Sequence, residues 1–270
     1  MRGDFFIYND EFIPAENFND QEQEGIVVYE VLRIKNGYPL FFEDHYKRLI
    51  NSCELIKQNV DVEVGTLFEK ITGLASKNNI EVGNVMLKFV FGRSVHREIL
   101  YFIPHSYPSE EDYIKGVKAG LLYAERKNPE AKVEQGIKQL ANQRLEKSDL
   151  YEVFLVDKEG YLTEGSRSNF FFVKNEKLYT TPLNRVLKGI TLLKVLEIAK
   201  HYKIEVVFER IPVSDLNKYD AAFITGTSPK ILPVNKIEDI EYDPDNKLVK
   251  RLLKHYNKMI AQDIEKYSDM

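Results

Sequence analysis

At 270 residues the chain has the length of roughly two domains, or of one large one. Hydrophobic residues make up 43% and charged residues 30%, with a net charge of −4, which excludes a general nucleic-acid binder, whose balance would be basic. The single cysteine, Cys53, excludes an internal disulfide and a Cys-based zinc site, so no metal is expected, and it fits a reducing compartment.

The N-terminus, "MRGDFFIYNDEF", lacks the apolar core of a signal peptide. No run approaches the roughly 18 apolar residues of a membrane span. A cytoplasmic protein that does not enter a membrane is expected. In chain order, "FFIYNDEFIP" predicts a hairpin around Asn9-Asp10, and "GIVVYEVLRIKNGYPL" a strand, an Asn36-Gly37 turn and a short second strand. "EDHYKRLINSCELIKQ" places Tyr46, Leu49, Ile50, Cys53 and Ile56 at helical spacing. In that pattern Cys53 is a core thiol rather than a nucleophile. "VGTLFEKITGLASKNN" predicts a second helix, and "NVMLKFVFGRS" and "EILYFIPHSYP" two strands.

Pro104, Pro108 and the acidic "SEEDY" mark a boundary between domains at 1–110 and 111–270. Beyond it the pattern predicts a short helix near 138–147, strands at 151–156 and 168–181, a helix from about Thr191 to Tyr202, strands in "IEVVFERI" and "AAFITGTS", and an amphipathic helix in the tail. Strands, two helices and strands in succession predict an α+β layer.

Three motifs could bind an anion. "LKGIT" (Leu187 to Thr191) puts Gly189 before a helix, so the N–H groups of Ile190 and Thr191 stand at its start, beside the helix dipole. "TGTS" (Thr225 to Ser228) is a glycine turn with three hydroxyls. "HYKRL" carries Arg48, whose planar fork suits a phosphate. Each has a plain alternative: a cap, a turn and a solvated helix face. Glu164, in "LTEGSRSNFFFV", stands beside a strongly apolar strand, and a carboxylate there needs a cationic partner. Arg167 is the nearest in sequence; a basic ring nitrogen of a bound cofactor is the other candidate.

The blocks "LTEGSRSNFFFVKNEKLYTTPL", "LKGITLLKVLEIA", "IEVVFERI" and "AAFITGTSPKILPV", with "VVYEVLRIKNG" and "HYKRL" before them, resemble successive blocks of the class IV aminotransferases. That family includes branched-chain and D-amino-acid aminotransferases and 4-amino-4-deoxychorismate lyases. The resemblance implies fold type IV: a small α+β N-terminal domain and a larger C-terminal domain with a pseudo-barrel. It implies pyridoxal 5'-phosphate in the cleft between them, and a homodimer. Glu164 then matches the carboxylate that pairs with the pyridine nitrogen, keeping the ring an electron sink. Arg48, the N–H groups of Ile190 and Thr191, Gly226 and Thr227 match the phosphate contacts.

"QGIKQLANQ" resembles the block around the Schiff-base lysine and points to Lys138, with Lys132 in "NPEAKV" as the alternative. Lys138 stands fewer positions before Glu164 than the family's lysine does. The lead-in "QEQEGIVVYE" also departs from the pattern, as does the stretch "GRSVHRE", where His96 and Glu98 stand in place of an Arg-x-His carboxylate trap, which argues against D-amino-acid specificity. On the substrate side, Tyr29 and Glu30 fit the aminotransferases. Lys88 matches a lyase lysine, although Val31 replaces a lyase hydroxyl and a strand lysine ordinarily faces solvent at an edge.

The expected function is transfer of an amino group between an amino acid, branched-chain-like, and a 2-oxo acid. One alternative is a 4-amino-4-deoxychorismate lyase releasing pyruvate and 4-aminobenzoate. Another is an inactive family member that acts as a binding protein.

Overall fold

The computed structural model describes residues 1–19, 25–92, 96–126, 129–133 and 136–267. The lead-in at 21–24 and positions 93–95 of "GRSVHRE" lie outside the described residues. The chain forms two compact units: Met1–Ser106 with Ala131–Glu134 and Met259–Met270, and Tyr107–Glu130 with Gln135–Lys258.

The first unit carries β1 (Arg2–Tyr8), β2 (Glu11–Pro14), β3 (Ile26–Lys35), β4 (Tyr38–Pro39), α1 (Phe42–Leu55), α2 (Val64–Lys77), β5 (Gly83–Phe91) and β6 (His96–Ile103). The strands form one sheet in the order β2-β1-β6-β5-β3-β4, with every paired neighbour antiparallel. Its hairpins turn at residues that tolerate a left-handed backbone: Asn9 at φ 53°, and Asn36 and Gly37 at φ 54° and 82°. The pleat sends Val28, Leu32, Ile34, Leu87 and Phe89 into a core with Leu49 and Cys53 of α1 and Leu67, Ile71 and Leu74 of α2.

One carboxylate lies within that core. Glu30 on β3 has no exposed surface, and it accepts Arg48 Nε at 2.7 Å and Arg48 Nη2 at 2.6 Å. His45 Nδ1 lies 2.8 Å from Glu30 Oε2. Burial alone would raise the Glu30 pKa, but the Arg48 charge and the bonds from Arg48 and His45 outweigh it and hold it at about 2. Burial, and then the nearby cations, lower His45. It is therefore a neutral donor through Nδ1, and its 3.5 Å contact with Arg48 Nη2 is not a hydrogen bond.

The second unit carries α3 (Glu110–Lys115), β7 (Val117–Tyr123), α4 (Ile137–Glu146), β8 (Glu152–Val156), β9 (Tyr161–Gly165), β10 (Asn169–Lys174), β11 (Lys177–Thr180), α5 (Ile190–His201), β12 (Val206–Phe208), β13 (Ile211–Pro212), β14 (Ala221–Gly226), β15 (Lys230–Ile237) and β16 (Ile240–Glu241). A tail helix, α6 (Lys247–Glu265), follows. The large sheet runs β12-β11-β10-β14-β15-β7-β8-β9-β13, with β16 beside β15. It is mixed: β7 runs parallel to β8 and β15, and β11 to β12, while the other pairs are antiparallel. Helices and sheets segregated in this way make the α+β class expected from the sequence.

Removing the Glu30 charge should expose how much the first unit depends on it. In Glu30→Gln the buried Arg48 keeps only neutral partners there, a loss of about 3–5 kcal/mol. The wild-type contribution is complete above the ordinary value of 4.5 and disappears as pH falls through about 2. Urea unfolding from pH 7 to pH 2 should therefore show a larger acid loss in wild type than in Glu30→Gln. Parallel curves for the two proteins would refute this.

Candidate active site

In the second unit, Glu164 ends β9 with only 3% of its surface exposed. Its cation is not the neighbouring Arg167, whose Nη2 donates to Tyr151 O at 3.2 Å. It is Arg126, whose Nε lies 3.0 Å from Glu164 Oε1. That N–H is not aligned with the oxygen and has no hydrogen-bond partner, so the contact is an ion pair rather than a hydrogen bond. Arg126 Nη2 donates to Ser166 O at 2.7 Å. Nothing in the local sequence marks Arg126, which stands far before Glu164 in the chain. The other oxygen, Glu164 Oε2, accepts the N–H of Leu187 at 3.2 Å.

The Leu187 peptide is held on its other side too. Asn169 Nδ2 donates to Leu187 O at 2.9 Å. Two residues on, Gly189 caps α5 without a side-chain bond. A Cβ at Gly189 would lie 2.2 Å from Asn169 Oδ1, so the close passage of chain and amide requires glycine. The helix thus starts with the N–H groups of Ile190 and Thr191 at its positive end. The Thr191 hydroxyl is already engaged, 3.2 Å from the Tyr256 hydroxyl. Thr225 stands directly across from Asn169 in the β10–β14 ladder, so the two side chains share one face of the sheet. Thr225 Oγ1 is buried without a partner. Gly226 and Thr227 follow it, both half-buried.

An unpartnered buried hydroxyl and a helix start without a side-chain cap, beside a buried carboxylate, fit the two polar ends of a phosphorylated pyridine. Lys138 is exposed in the first turn of α4.

In the first unit, Arg48 is not on a solvated helix face: its side chain is 10% exposed and grips Glu30 through two nitrogens. Lys132 is half-buried along the edge of β3. Its carbonyl accepts the Tyr29 N–H at 3.1 Å, its N–H donates to Ser52 Oγ at 3.2 Å, and its ammonium lies 4.9 Å from the centre of the Tyr29 ring. Lys88 departs from the expectation of a solvent-facing edge lysine. It lies on β5 between β3 and β6, opposite Tyr29 and Ile99, is 4% exposed, and stands 5.8 Å from the Tyr101 ring centre. Glu98 is taken up by Lys70 at 2.7 Å.

Residues 27–237 match the family described as amino-transferase class IV. A Rickettsia felis protein named "Probable branched-chain-amino-acid aminotransferase" is 27% identical over 256 residues, 87% of each chain. The D-alanine aminotransferase of Staphylococcus aureus (strain N315) is 28% identical over 249 residues, covering 85% of this chain and 88% of its own. Among solved structures, the T.th. branched-chain amino acid aminotransferase with pyridoxamine 5'-phosphate superposes with a TM-score of 0.84 at 23% identity, over 97% of this chain and 95% of its own. With a match across most of its length, the chain belongs to the class IV aminotransferase family.

Proposed function

We propose that the protein is a pyridoxal 5'-phosphate-dependent aminotransferase acting on a branched-chain-like amino acid and a 2-oxo acid, with Lys132 rather than Lys138 as its reactive amine. The observation that carries the choice is the setting of Lys132. Its backbone is fixed on both sides by Tyr29 and Ser52 and its ammonium rests against an aromatic face. Its charge is also close enough to act on the buried His45. Amine chemistry at neutral pH needs a lysine drawn out of water with cations nearby. Lys138, exposed in the first turn of a helix, is not drawn out of water.

When bound, the cofactor supplies an electron sink and carries the amino group from one substrate to the other. The Lys132 amine takes and returns the proton at the substrate α-carbon. Glu164, its charge balanced by Arg126 and its position fixed by the bond from Leu187, would hold a proton on the pyridine nitrogen. The N–H groups of Ile190 and Thr191 and the hydroxyls of Thr225 and Thr227 would hold the phosphate, and Arg48 is assigned to it on the family resemblance alone. Tyr29 and Lys88 face the substrate. Lys88 favours the second reading: a buried ammonium among aromatic and aliphatic groups suits a substrate with a second carboxylate, as in the lyase that releases pyruvate and 4-aminobenzoate. The remaining roles, a homodimer in the cytoplasm, rest on the family resemblance.

Borohydride reduction of the loaded protein followed by peptide mapping should place the pyridoxyl label on Lys132. Lys132→Ala should lose visible absorbance and activity, and Lys138→Ala should keep both; a label on Lys138 would overturn the assignment. Assaying branched-chain and D-amino acids beside aminodeoxychorismate separates transaminase from lyase, with pyruvate release in Lys88→Met as the deciding number. Glu164→Gln keeps an acceptor for the Leu187 N–H and loses the charge. Cofactor affinity should stay near wild type while the half-reaction slows on the order of a hundredfold. A normal rate in a protein with only a lowered melting temperature would reduce Glu164 to a partner for Arg126.

A further inference from the structure

The four-residue turn between Glu164 and Asn169 is built around a second carboxylate. Glu152 opens β8 and is 2% exposed. Its Oε1 accepts the Ser166 hydroxyl at 2.6 Å, the Ser166 N–H at 3.2 Å and the Val153 N–H at 2.9 Å. Its Oε2 accepts the Ser168 hydroxyl at 2.7 Å and the Arg167 N–H at 3.2 Å. The partners are dipoles; the Arg167 guanidinium turns to Tyr151 O. The turn closes on itself through Gly165 N to Ser168 O at 2.8 Å. A Cβ at Gly165 would meet Ser168 Oγ at 2.1 Å and Glu152 Oε2 at 3.1 Å, so the backbone is wrapped tightly on the carboxylate.

Both residues flanking this turn grip the backbone of the same residue. Glu164 accepts the Leu187 N–H, and Asn169 donates to the Leu187 carbonyl. Leu187 leads directly into the uncapped start of α5. The shape of the turn therefore fixes the distance from the Glu164 carboxylate to the helix start.

We propose that Glu152 is a positioning residue: by shaping the Gly165–Ser168 turn it sets the spacing between Glu164 and the α5 N-terminus, and so the separation of the groups that receive the ring and phosphate ends of the cofactor. The link to the cofactor rests on the function proposed above; the mechanical coupling does not. Glutamine cannot replace the carboxylate, because its amide NH2 would face two backbone N–H groups and a hydroxyl at the Oε1 position, or one N–H and a hydroxyl at the Oε2 position, and the N–H groups cannot turn to accept.

The full chain carrying Glu152→Gln tests the coupling by amide hydrogen exchange without cofactor, and by fluorescence titration with pyridoxal 5'-phosphate. Leu187, Ser166 and Arg167 should exchange at least roughly tenfold faster, while Phe171 and Phe223 in the β10–β14 ladder keep wild-type protection. Cofactor affinity should fall by a similar factor. Wild-type protection at Leu187, or a uniform rise that includes the ladder, overturns the proposal. Ser168→Ala, which removes one donor and leaves the carboxylate, should give a smaller selective rise at Leu187, and decides the matter by the same criterion if Glu152→Gln fails to fold. A wild-type protein that takes up no pyridoxal 5'-phosphate would refute the functional reading, and exchange at Leu187 would still judge the coupling.

Discussion

The backbone of one residue, Leu187, organises the second unit's site. Its N–H belongs to Glu164 and its carbonyl to Asn169, and these two residues are the ends of a single turn. Buried polar groups must find partners, so the loop before α5 cannot shift without leaving a carboxylate, an amide and a peptide unsatisfied together. Gly189 makes the arrangement sterically possible, because any side chain there would overlap the Asn169 amide. A loop that would otherwise be free to choose its course is therefore fixed to the strand that bears the key carboxylate.

The first unit solves a different problem with the alternation of a strand. Glu30 and Tyr29 are neighbours on β3 and point to opposite faces. Glu30 turns under α1, where Arg48 and His45 hold it in the dry core. Tyr29 turns the other way, opposite Lys88 and against the Lys132 ammonium. The pleat thus separates a buried charge cluster from Tyr29 and the two lysines beside it, Lys88 and Lys132. An ion pair as buried as Glu30 with Arg48 adds little net stability over an apolar pair. What it does is hold the guanidinium in one orientation, a property a phosphate ligand would need and a core does not.

Much of the fold was legible because its signals are local. Asn36-Gly37 and Asn9 announced their hairpins, the apolar spacing in "HYKRLINSC" announced α1, and Gly189 announced the start of α5. Four strands, β7, β9, β15 and β16, are not predicted from the sequence, and for two of them the physical reason is plain. β9 holds Thr163 and Glu164 where an apolar alternation was sought. β15 contains Pro233, ordinarily a mark against a strand; it is tolerated because Pro233 pairs with Phe223 on one side, while pairing with β7 begins only at Val234. Arg126 and Glu152 were illegible because their partners are set by the pairing of β8 with β9 and by the course of the chain after β7, neither of which leaves a trace in their own neighbourhoods. The stretch "EGSRSN" showed that something polar had to be satisfied there, without showing that the acceptor would be a glutamate one strand away.

The two lysines illustrate the same limit from the other side. "GIKQLANQ" looks like a reactive-lysine block by local composition, yet a helix beginning at Ile137 turns Lys138 toward water. "NPEAKV" looks like a loop, yet Val133 bridges to Val28 and the Tyr29 N–H closes on Lys132 O. The backbone of Lys132 is fixed by a strand edge distant in sequence, which its own neighbourhood does not show. Motif similarity reports which residue types have been kept near one another. Which lysine can do the chemistry is decided by what the rest of the chain places around it.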